Sequence, residues 1–281
     1  MLRIAVPNKG SLAEPAAEML REAGYAERRD SRQLVLHDEA NSAEFFFLRP
    51  RDIAVYVGSG TLDVGLTGRD LLLDSGAKAE EVLSLGFAAS TFRFASRVGG
   101  IGSVAQIAGH RVATSYPGLV EAYLGERGIQ ADVVRLDGAV ETSVELGVAD
   151  VIADVVSTGT TLRSAGLEAF GDPILESEAV LVRRANVPVP AGLDVLVRRL
   201  QGVLVARQYV MVDYDVKVDL VDDACAITPG LESPTISPLH DHGWVAVRSM
   251  VPRHLTNRVM DDLYDIGARA ILVTTIHACR I

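Results

Sequence analysis

The sequence predicts an α/β fold with two lobes, followed by a smaller third unit. Short runs of β-branched and apolar residues alternate with longer segments of helical periodicity, which is typical of βαβ units and a largely parallel sheet. This alternation restarts after the glycine-rich stretch 99–102, which indicates a second lobe, and the rhythm changes again near residue 208. At about 150 residues per domain, 281 residues allow two domains or three small ones.

The first predicted lobe opens with a buried strand over residues 2–7 and a helix after the N-cap candidate Ser11. Apolar residues keep helical spacing from Leu12 to Ala23, and Gly24 is a natural stop. The other elements predicted here are strands over 33–36, 44–48 and 63–66 and a helix over 52–57. We expect residues 1–90 and 181–207 to make up this lobe.

The second predicted lobe spans residues 91–180, and we expect the chain to cross between the lobes near 90 and 180. Its elements are strands over 110–113, 133–136 and 151–155 and helices over 117–127 and 139–146. Two lobes of this kind leave a cleft where strand ends and helix N-termini face each other. A ligand site is therefore expected in the cleft.

Residues 208–281 form the third predicted unit. Its elements are strands over 209–212, 233–237, 244–250 and 270–275 and helices over 217–223 and 254–266. The order βαββαβ is that of a ferredoxin-like unit.

The composition argues against several classes of protein. With 27 Lys and Arg against 37 Asp and Glu, the net charge is −10, a poor match for the phosphate backbone of nucleic acids. The longest stretch without a charged residue, 98–110, is glycine-rich and shorter than the ~18–20 apolar residues that a membrane span needs. The N-terminal sequence is strand-like rather than leader-like, and two cysteines cannot staple a chain of this size, so we expect a cytoplasmic protein.

The segment 150–162 has the pattern of a phosphate-binding loop. An apolar strand reaches Asp154, and helical sequence starts at Leu162; between them lie small residues around one glycine: Ser157, Thr158, Gly159, Thr160 and Thr161. Hydroxyls and the N–H groups of a helix N-terminus are the donors that a phosphomonoester needs, and glycine lets the backbone come close. Asp154 is placed to accept hydrogen bonds from a sugar diol beside the phosphate. The alternative is a Ser/Thr-rich helix cap, which needs only one or two of these hydroxyls.

The same segment resembles the signature of the ATP phosphoribosyltransferase family. The matching positions run from Glu141 through Asp154 to Leu162. Four shorter segments resemble this family in the same order along the chain: residues 6–10, 47–53, 65–70 and 231–235. The resemblance covers essentially the whole chain, and the third unit matches the long form of the enzyme, which carries its own regulatory domain. It implies a two-lobed, periplasmic-binding-protein-like catalytic core.

The resemblance implies a displacement at the anomeric carbon of 5-phosphoribosyl 1-pyrophosphate (PRPP), the reaction that opens histidine biosynthesis. Nitrogen N1 of ATP attacks and magnesium pyrophosphate leaves, so positive charge develops on the ribose. Catalysis is then expected from positioning and electrostatics rather than from a protein nucleophile. The implied cofactor is Mg²⁺, held chiefly by substrate phosphates, with no metal site built from side chains alone.

Carried over to matching positions, the resemblance assigns residues to both substrates. Asp154 would hold the ribose hydroxyls, residues 157–161 the 5-phosphate, and Glu141 would help to position the sugar or the magnesium pyrophosphate. The implied ATP ligands are Lys9, Arg49, Arg69, Asp70 and Tyr116. Each has an ordinary alternative: the cations as solvated surface charges, Asp70 as the cap of a helix that begins at Leu71, and Tyr116 as packing at a helix start.

For the third unit the resemblance implies feedback inhibition by histidine. The matching positions that would line the effector site are Asp215, Leu231, Ser233, Thr235 and Ala270. The family forms homo-oligomers, dimers that assemble into hexamers, and we expect the same here. The expected ligands are ATP, PRPP and histidine, with no nucleic-acid or membrane partner.

Two other functions stay open on the residues alone. A cytoplasmic two-lobed amino-acid sensor would use the same architecture, because fold does not fix function, but it would not need the phosphate loop. A phosphoribosyltransferase for another base would keep residues 154–161 and differ around Arg49 and Asp70.

Overall fold

A computed structural model describes residues 1–28, 30, 32–156 and 159–280. The chain divides into two compact units, one of Met1–Arg21 with Tyr25–Asp194 and the other of Glu22–Gly24 with Val195–Ile281. The strands are β1 (Leu2–Pro7), β2 (Val35–Asp38), β3 (Ala43–Leu48), β4 (Val64–Gly68), β5 (Ala79–Ser84), β6 (Ser90–Arg97), β7 (Arg111–Thr114), β8 (Asp132–Arg135), β9 (Val151–Val156), β10 (Leu167–Ser177), β11 (Ala179–Arg184), β12 (Tyr209–Lys217), β13 (Thr235–Pro238), β14 (Trp244–Pro252) and β15 (Arg269–Thr275). The helices are α1 (Ala13–Glu22), α2 (Pro50–Gly58), α3 (Arg69–Ser75), α4 (Pro117–Glu126), α5 (Thr142–Glu145), α6 (Thr160–Ser164), α7 (Leu193–Gln208), α8 (Val221–Ile227) and α9 (Thr256–Asp265).

The first unit contains two separate sheets, one in each lobe. Lobe I has the strand order β2-β3-β1-β4-β11-β5, in which β3, β1 and β4 run parallel and β11 returns antiparallel to β4 and β5. Lobe II has the order β10-β6-β9-β7-β8. Each sheet buries its own apolar cluster, around Ile53, Val57 and Val180 in lobe I and around Phe92 and Phe94 in lobe II.

Two segments of chain join the lobes. One runs from the end of β5 at Ser84 to the start of β6 at Ser90, and the other is Glu178, which lies between β10 and β11. The amide of Leu85 donates to the carbonyl of Ala179 (2.9 Å), so the two crossover segments lie side by side. The predicted two-lobed, periplasmic-binding-protein-like fold is confirmed, with a cleft between the lobes.

The C-terminal part of the second unit is a four-stranded antiparallel sheet in the order β13-β14-β12-β15. Along β12 the buried residues alternate, with Val210, Val212, Tyr214 and Val216 packed into a core that also contains Leu263 of α9. This confirms the predicted βαββαβ, ferredoxin-like order. Among the described residues, no helix combines the length and the apolar character needed to cross a membrane.

Three expectations about secondary structure need correction. The helix predicted over 139–146 is reduced to α5, because Ala139 has a left-handed φ of 48° that no helix can contain. The helix predicted from Leu162 is the five-residue α6, which ends where Gly166 takes a positive φ. Strands β5, β6, β10 and β11 were not predicted as strands. In β5, β6 and β10 polar and small residues weaken the alternation that marks a strand, whereas β11 begins with a run of buried apolar residues and has no alternation.

Candidate active site

The cleft contains a cavity of about 360 Å³ lined from both lobes and from both crossover segments. Lobe I contributes Lys9 and Asp70, and lobe II contributes Tyr116 and Val155. The crossovers contribute Ala89 and Glu178. Three of the five predicted ATP ligands therefore lie around one cavity, although they are far apart in the chain.

A second cavity, of about 130 Å³, shares Val155 with the first and lies beside the end of β9. Its lining includes Glu141, Asp154, Gly159 and Thr161, all of them predicted PRPP residues. Ser157 and Thr158 lie outside the described residues. The two predicted substrate groups thus meet at neighbouring cavities.

Local backbone geometry shapes the loop after β9. Gly159 has a φ of 68° and is the N-cap of α6, a conformation that L side chains rarely adopt. A Cβ at this position would also lie 3.3 Å from Nη1 of Arg163, whose Nη2 donates to Oγ1 of Thr160 at 3.4 Å. Glycine is therefore favoured here by the backbone conformation, while the tip of the flexible Arg163 side chain could move aside for a Cβ.

Three carboxylates converge on the boundary between the two cavities. Burial raises the pKa of Asp154, and the charges of Glu141 and Asp70 raise it further. The amide of Val155 donates to Oδ1 of Asp154 at 2.7 Å and opposes the shift. The arrangement is suited to a ligand that brings or develops positive charge.

Tyr116 connects the two lobes at the mouth of the cleft. Its ring packs edge-on against Phe92, with 5.1 Å between centroids, and the guanidinium of Arg51 lies 4.9 Å from its centroid. Burial and the negative charges of Asp70 and Asp154 raise the pKa of the phenol, so Tyr116 stays protonated. Lobe I thus places a cation beside an aromatic ring of lobe II.

Arg51 was not predicted as a site residue, and neither were Asp74 and Arg93. Nη1 of Arg51 donates to Oδ2 of Asp74 at 2.9 Å, which fixes the guanidinium beside Tyr116. Arg93 lies opposite Asp154 in the register of β6 and β9. Its Nη2 donates to the carbonyl of Gly171, while among the described residues its buried Nε has no hydrogen-bond partner. No local sequence signal marks these residues, because only strand and helix packing brings them to the site.

Asp70 lies inside α3 rather than at the cap of a helix that begins at Leu71. The helix starts at Arg69 with Gly68 as its N-cap, and Oδ1 of Asp70 accepts a hydrogen bond from the amide of Leu71 at 2.9 Å. The Asp70 amide donates to Oγ of Ser177 at 3.1 Å. Asp70 is buried yet lines the cavity, and the two hydrogen bonds hold its backbone and its side chain in place.

The two remaining predicted ATP ligands have different surroundings. Arg49 is exposed at the N-cap of α2, next to Pro50, which lines the larger cavity. Arg69 is engaged instead by the carboxylates of Glu81 and Glu178, at 2.9 and 3.3 Å. The role of Arg69 as an ATP ligand stays a prediction, although two carboxylates already compensate its charge.

The predicted effector residues fall into two groups. Leu231, Ser233 and Thr235 line a cavity of about 420 Å³, whose lining also includes Arg248 and Arg280. Asp215 and Ala270 lie at an irregularity in the pairing of β12 and β15, where Ala270 has a φ of 50°. Thr235 belongs to one edge strand of the sheet and Ala270 to the other, so these two predicted effector residues lie apart within one chain.

Comparison with known proteins agrees with this geometry. The family model for ATP phosphoribosyltransferase matches residues 49–202, and that for the HisG C-terminal domain matches residues 206–278. The chain is 69% identical over 284 residues to the ATP phosphoribosyltransferase of Pseudarthrobacter chlorophenolicus, and 63% identical over 285 residues to that of Streptomyces coelicolor; both chains are fully covered in each case. Among solved structures it is similar to the ATP phosphoribosyl transferase (HisG:HisZ) complex from Thermotoga maritima, with a TM-score of 0.62 and 27% identity over 72% of this chain and 97% of that chain.

A two-lobed core with a hydroxyl-rich turn after an acidic strand, together with these matches, defines a phosphoribosyltransferase, a glycosyltransferase that uses an activated ribose phosphate. More narrowly, the chain belongs to the ATP phosphoribosyltransferase family, whose reaction joins the phosphoribosyl group of PRPP to ATP in histidine biosynthesis. The amino-acid sensor and the transferase for another base are thereby set aside.

Proposed function

We propose that ATP binds in the larger cavity against Lys9, Asp70 and Tyr116, and that PRPP binds in the smaller one against Asp154, Gly159 and Thr161. The observation that carries the proposal is the convergence of Asp70, Glu141 and Asp154 beside Gly159. Burial and the two neighbouring carboxylates raise the pKa of Asp154. The shared lining residue Val155 makes the two cavities neighbours, as a direct transfer between two substrates requires.

In the proposed reaction the lone pair of N1 of ATP forms a bond to C1 of the ribose, and the bond from C1 to the pyrophosphate oxygen breaks with its electron pair. Positive charge then develops on the ribose ring. Asp154 and Glu141, held in a partly dehydrated pocket, stabilise that charge more strongly than water would. Asp154 also orients the ribose hydroxyls, while the hydroxyl and backbone donors of residues 159–161 bind the 5-phosphate.

Mg²⁺ is the proposed cofactor. Its preferred ligands are oxygens, and it keeps substrate phosphates and water in its coordination shell. Among the described residues, no group of three His, Cys, Asp or Glu is arranged to hold a metal ion, so the donors here fit an ion that arrives with pyrophosphate and meets Glu141 or Asp154. When bound, the ion neutralises charge on the leaving group.

For ATP, the ring of Tyr116 offers an aromatic face and the Asp70 carboxylate offers an acceptor for the exocyclic amine or a ribose hydroxyl. Lys9, which is exposed at the cavity, and Arg49 beside it supply positive charge for the phosphates. Arg69 is left out of this set. The supply of ATP and PRPP also favours the cytoplasm as the site of action.

Histidine is the proposed feedback inhibitor, and we place its site between two copies of the chain. Thr235 and Ala270 belong to opposite edges of a four-stranded sheet, which separates them by roughly 14 Å at about 4.8 Å per strand. One histidine cannot span that distance within a chain. Both edges are exposed, including Ile236 on β13 and Leu272 and Val273 on β15, as expected for surfaces that pair in a homo-oligomer.

The decisive test is pyrophosphate release from the full-length protein with PRPP, ATP and Mg²⁺, with and without histidine. Turnover that needs all three components and falls with histidine supports both halves of the proposal. Turnover that ignores histidine rejects the effector site and keeps the catalytic one. Absence of turnover with tight histidine binding, measured by calorimetry on folded protein, rejects the catalytic assignment.

A further inference from the structure

The two crossover segments are the only covalent links between the lobes within the first unit, as far as the chain is described, so they set how the cleft opens and closes. The carbonyl of Phe87 accepts a hydrogen bond from the amide of Ala179, and the carbonyl of Ala179 accepts one from Leu85, both at 2.9 Å. Closure of two-lobed proteins is a rotation about such segments. A side chain that touches both segments can therefore control closure.

Arg69 touches both. Its Nε and Nη2 form a two-pronged contact with the two carboxylate oxygens of Glu81, each at 2.9 Å, and Nη2 is also 2.9 Å from Oγ of Ser84, where the first crossover begins. The same Nη2 lies 3.3 Å from Oε1 of Glu178, the second crossover. Nη1 reaches the carbonyl of Glu176 in lobe II, also at 3.3 Å.

Glu178 forms hydrogen bonds with both the first crossover segment and Arg69. Its Oε2 accepts a hydrogen bond from the amide of Gly86 at 3.0 Å, and its carbonyl accepts one from the amide of Arg69 at 3.0 Å. We call Arg69, Glu81, Ser84 and Glu178 the crossover clamp. The side chains of Arg69 and Glu178 are about one-quarter exposed, so water screens the clamp less than an ordinary surface pair.

The clamp is joined to the substrate cleft through the backbone. Asp70 follows Arg69 directly, and its amide is held by Oγ of Ser177, the residue before Glu178. The Asp70 side chain lines the larger cavity together with Tyr116 of the opposite lobe. Any rotation at the crossovers therefore changes the distance between Asp70 and Tyr116.

We propose that Arg69 is a positioning residue: it ties the two crossover segments together and thereby sets the spacing between Asp70 and Tyr116 across the cleft. This inference rests on the proposed ATP site, because Asp70 and Tyr116 are the ATP contacts that it positions. Arg69 lines neither of the two cavities proposed for ATP and PRPP. Consistent with a preformed ion pair, the pKa of Glu81 is lowered chiefly by its hydrogen bonds from Arg69, and the pKa of Arg69 is raised chiefly by the same bonds.

Steady-state kinetics of three full-length variants test the proposal: Arg69→Ala, Glu81→Gln and the double variant. Glu81 lines neither cleft cavity, so a loss of activity on its neutralisation reports the clamp. We expect Arg69→Ala to lower kcat by about 10- to 100-fold through misplacement of the reacting groups. Glu81→Gln should lower kcat in the same direction, the double variant should be no worse than Arg69→Ala, and KM for ATP should change by less than about threefold.

Hydrogen exchange gives a readout that does not depend on turnover. The amides of Leu85, Gly86 and Ala179 should exchange faster in both single variants. Arg111→Ala is the matched control, because Arg111 makes a similar two-pronged contact with Asp150 in lobe II and touches neither crossover. It should leave kcat and those three amides unchanged.

The proposal is overturned if Arg69→Ala raises KM for ATP tenfold or more with kcat retained while Glu81→Gln behaves as wild type, since Arg69 would then bind substrate. It is equally overturned if neither variant changes kcat. Should Arg69→Ala fail to fold, Glu81→Gln and Ser84→Ala carry the same test. If the proposed ATP site is itself wrong, Asp70→Asn should leave KM for ATP unchanged, and this result is independent of the Arg69 and Glu81 variants.

Discussion

The backbone oxygen of Asp74 lies against the Cα of Gly118, so closely that a Cβ at Gly118 would be 2.4 Å from it. Asp74 lies in the last turn of α3 in lobe I, and Gly118 lies in the first turn of α4 in lobe II. Oδ1 of Asp74 also accepts a hydrogen bond from the amide of Leu119 at 3.3 Å. This contact between the lobes therefore depends on a glycine at residue 118.

Gly118→Ala should hold the lobes apart at this contact and lower kcat/KM by roughly 10- to 100-fold, since small misplacements of reacting groups are costly. Gly125→Ala, in the same helix, meets nothing within 4 Å and should instead stabilise the protein by about 0.5–1 kcal/mol through helix propensity. Kinetics and thermal melts of both variants check this pair. Equal activity of the two would show that the Asp74 contact does not limit closure.

Asp154→Asn should lower kcat/KM by roughly 100-fold or more and at the same time raise the melting temperature at pH 7. Because burial raises the pKa of Asp154 above its ordinary value of 3.8, the folded protein binds this proton more tightly than the unfolded chain does. Stability therefore falls as the pH rises from 3.8 through the folded pKa, and the cost is fully present above that pKa. The gain in Asp154→Asn should disappear below about pH 3.8.

Asp150→Asn is the control with the opposite sign. Hydrogen bonds from Arg111 lower the pKa of Asp150, so its charge stabilises the fold at neutral pH and the benefit is lost as the pH falls through the folded pKa. This variant should melt earlier than wild type at pH 7 while it keeps its activity. A melt series at several pH values in which both variants shift in the same direction would contradict the electrostatic account.

Tyr116→Leu should raise KM for ATP roughly tenfold, as loss of an aromatic stacking partner for a base costs about 1–3 kcal/mol. Tyr116→Phe keeps the ring and should change KM less. The matched control is Tyr123→Leu, because Tyr123 lies in the same helix but packs on Phe94 and Arg127. If both leucine variants alter KM for ATP equally, the effect belongs to helix packing and not to ATP contact.

Thr235→Leu and Asp215→Asn should each reduce inhibition by histidine while basal turnover is kept. If the effector site lies between two copies of the chain, oligomers that contain both variants regain some intact sites. Mixing the two proteins under exchange conditions should then restore part of the histidine sensitivity that each lacks alone. A mixture as insensitive as its components would reject an effector site shared between two copies of the chain.

Ala270→Gly should stabilise the C-terminal unit by about 0.5–1 kcal/mol. The left-handed φ of 50° at Ala270 costs roughly 1–2 kcal/mol for a residue with a Cβ, and the extra freedom of unfolded glycine returns part of that. Ala246→Gly, in the regular strand β14, should destabilise because no strain is relieved there. Chemical denaturation of the two variants compares them directly, and a loss of stability in both would argue against strain at the irregularity.

Much of the fold could be predicted from local patterns. The strand Leu2–Pro7 matches its predicted bounds, and the order βαββαβ was read correctly from apolar periodicity and turn residues. One strand that was missed is Ala79–Ser84, in which polar and small residues weaken the alternation. Its pairing partners, and not its own composition, hold this strand in the sheet.

The candidate site, like the fold, has some parts that local sequence determines and others that tertiary packing determines. By itself the sequence determined the acidic strand end at Asp154 and the glycine turn at Gly159, since both depend on neighbours within a few residues. Only the tertiary structure decided that Glu141 and Asp154 line one cavity while Asp70 lines its neighbour, and that Arg69 is paired with the carboxylates of Glu81 and Glu178. Arg69 and Glu178 are 109 positions apart. Whether such a charge is free or paired is set by the strands that bring the two crossovers together, and electrostatic interaction depends on that distance in space and not on spacing along the chain.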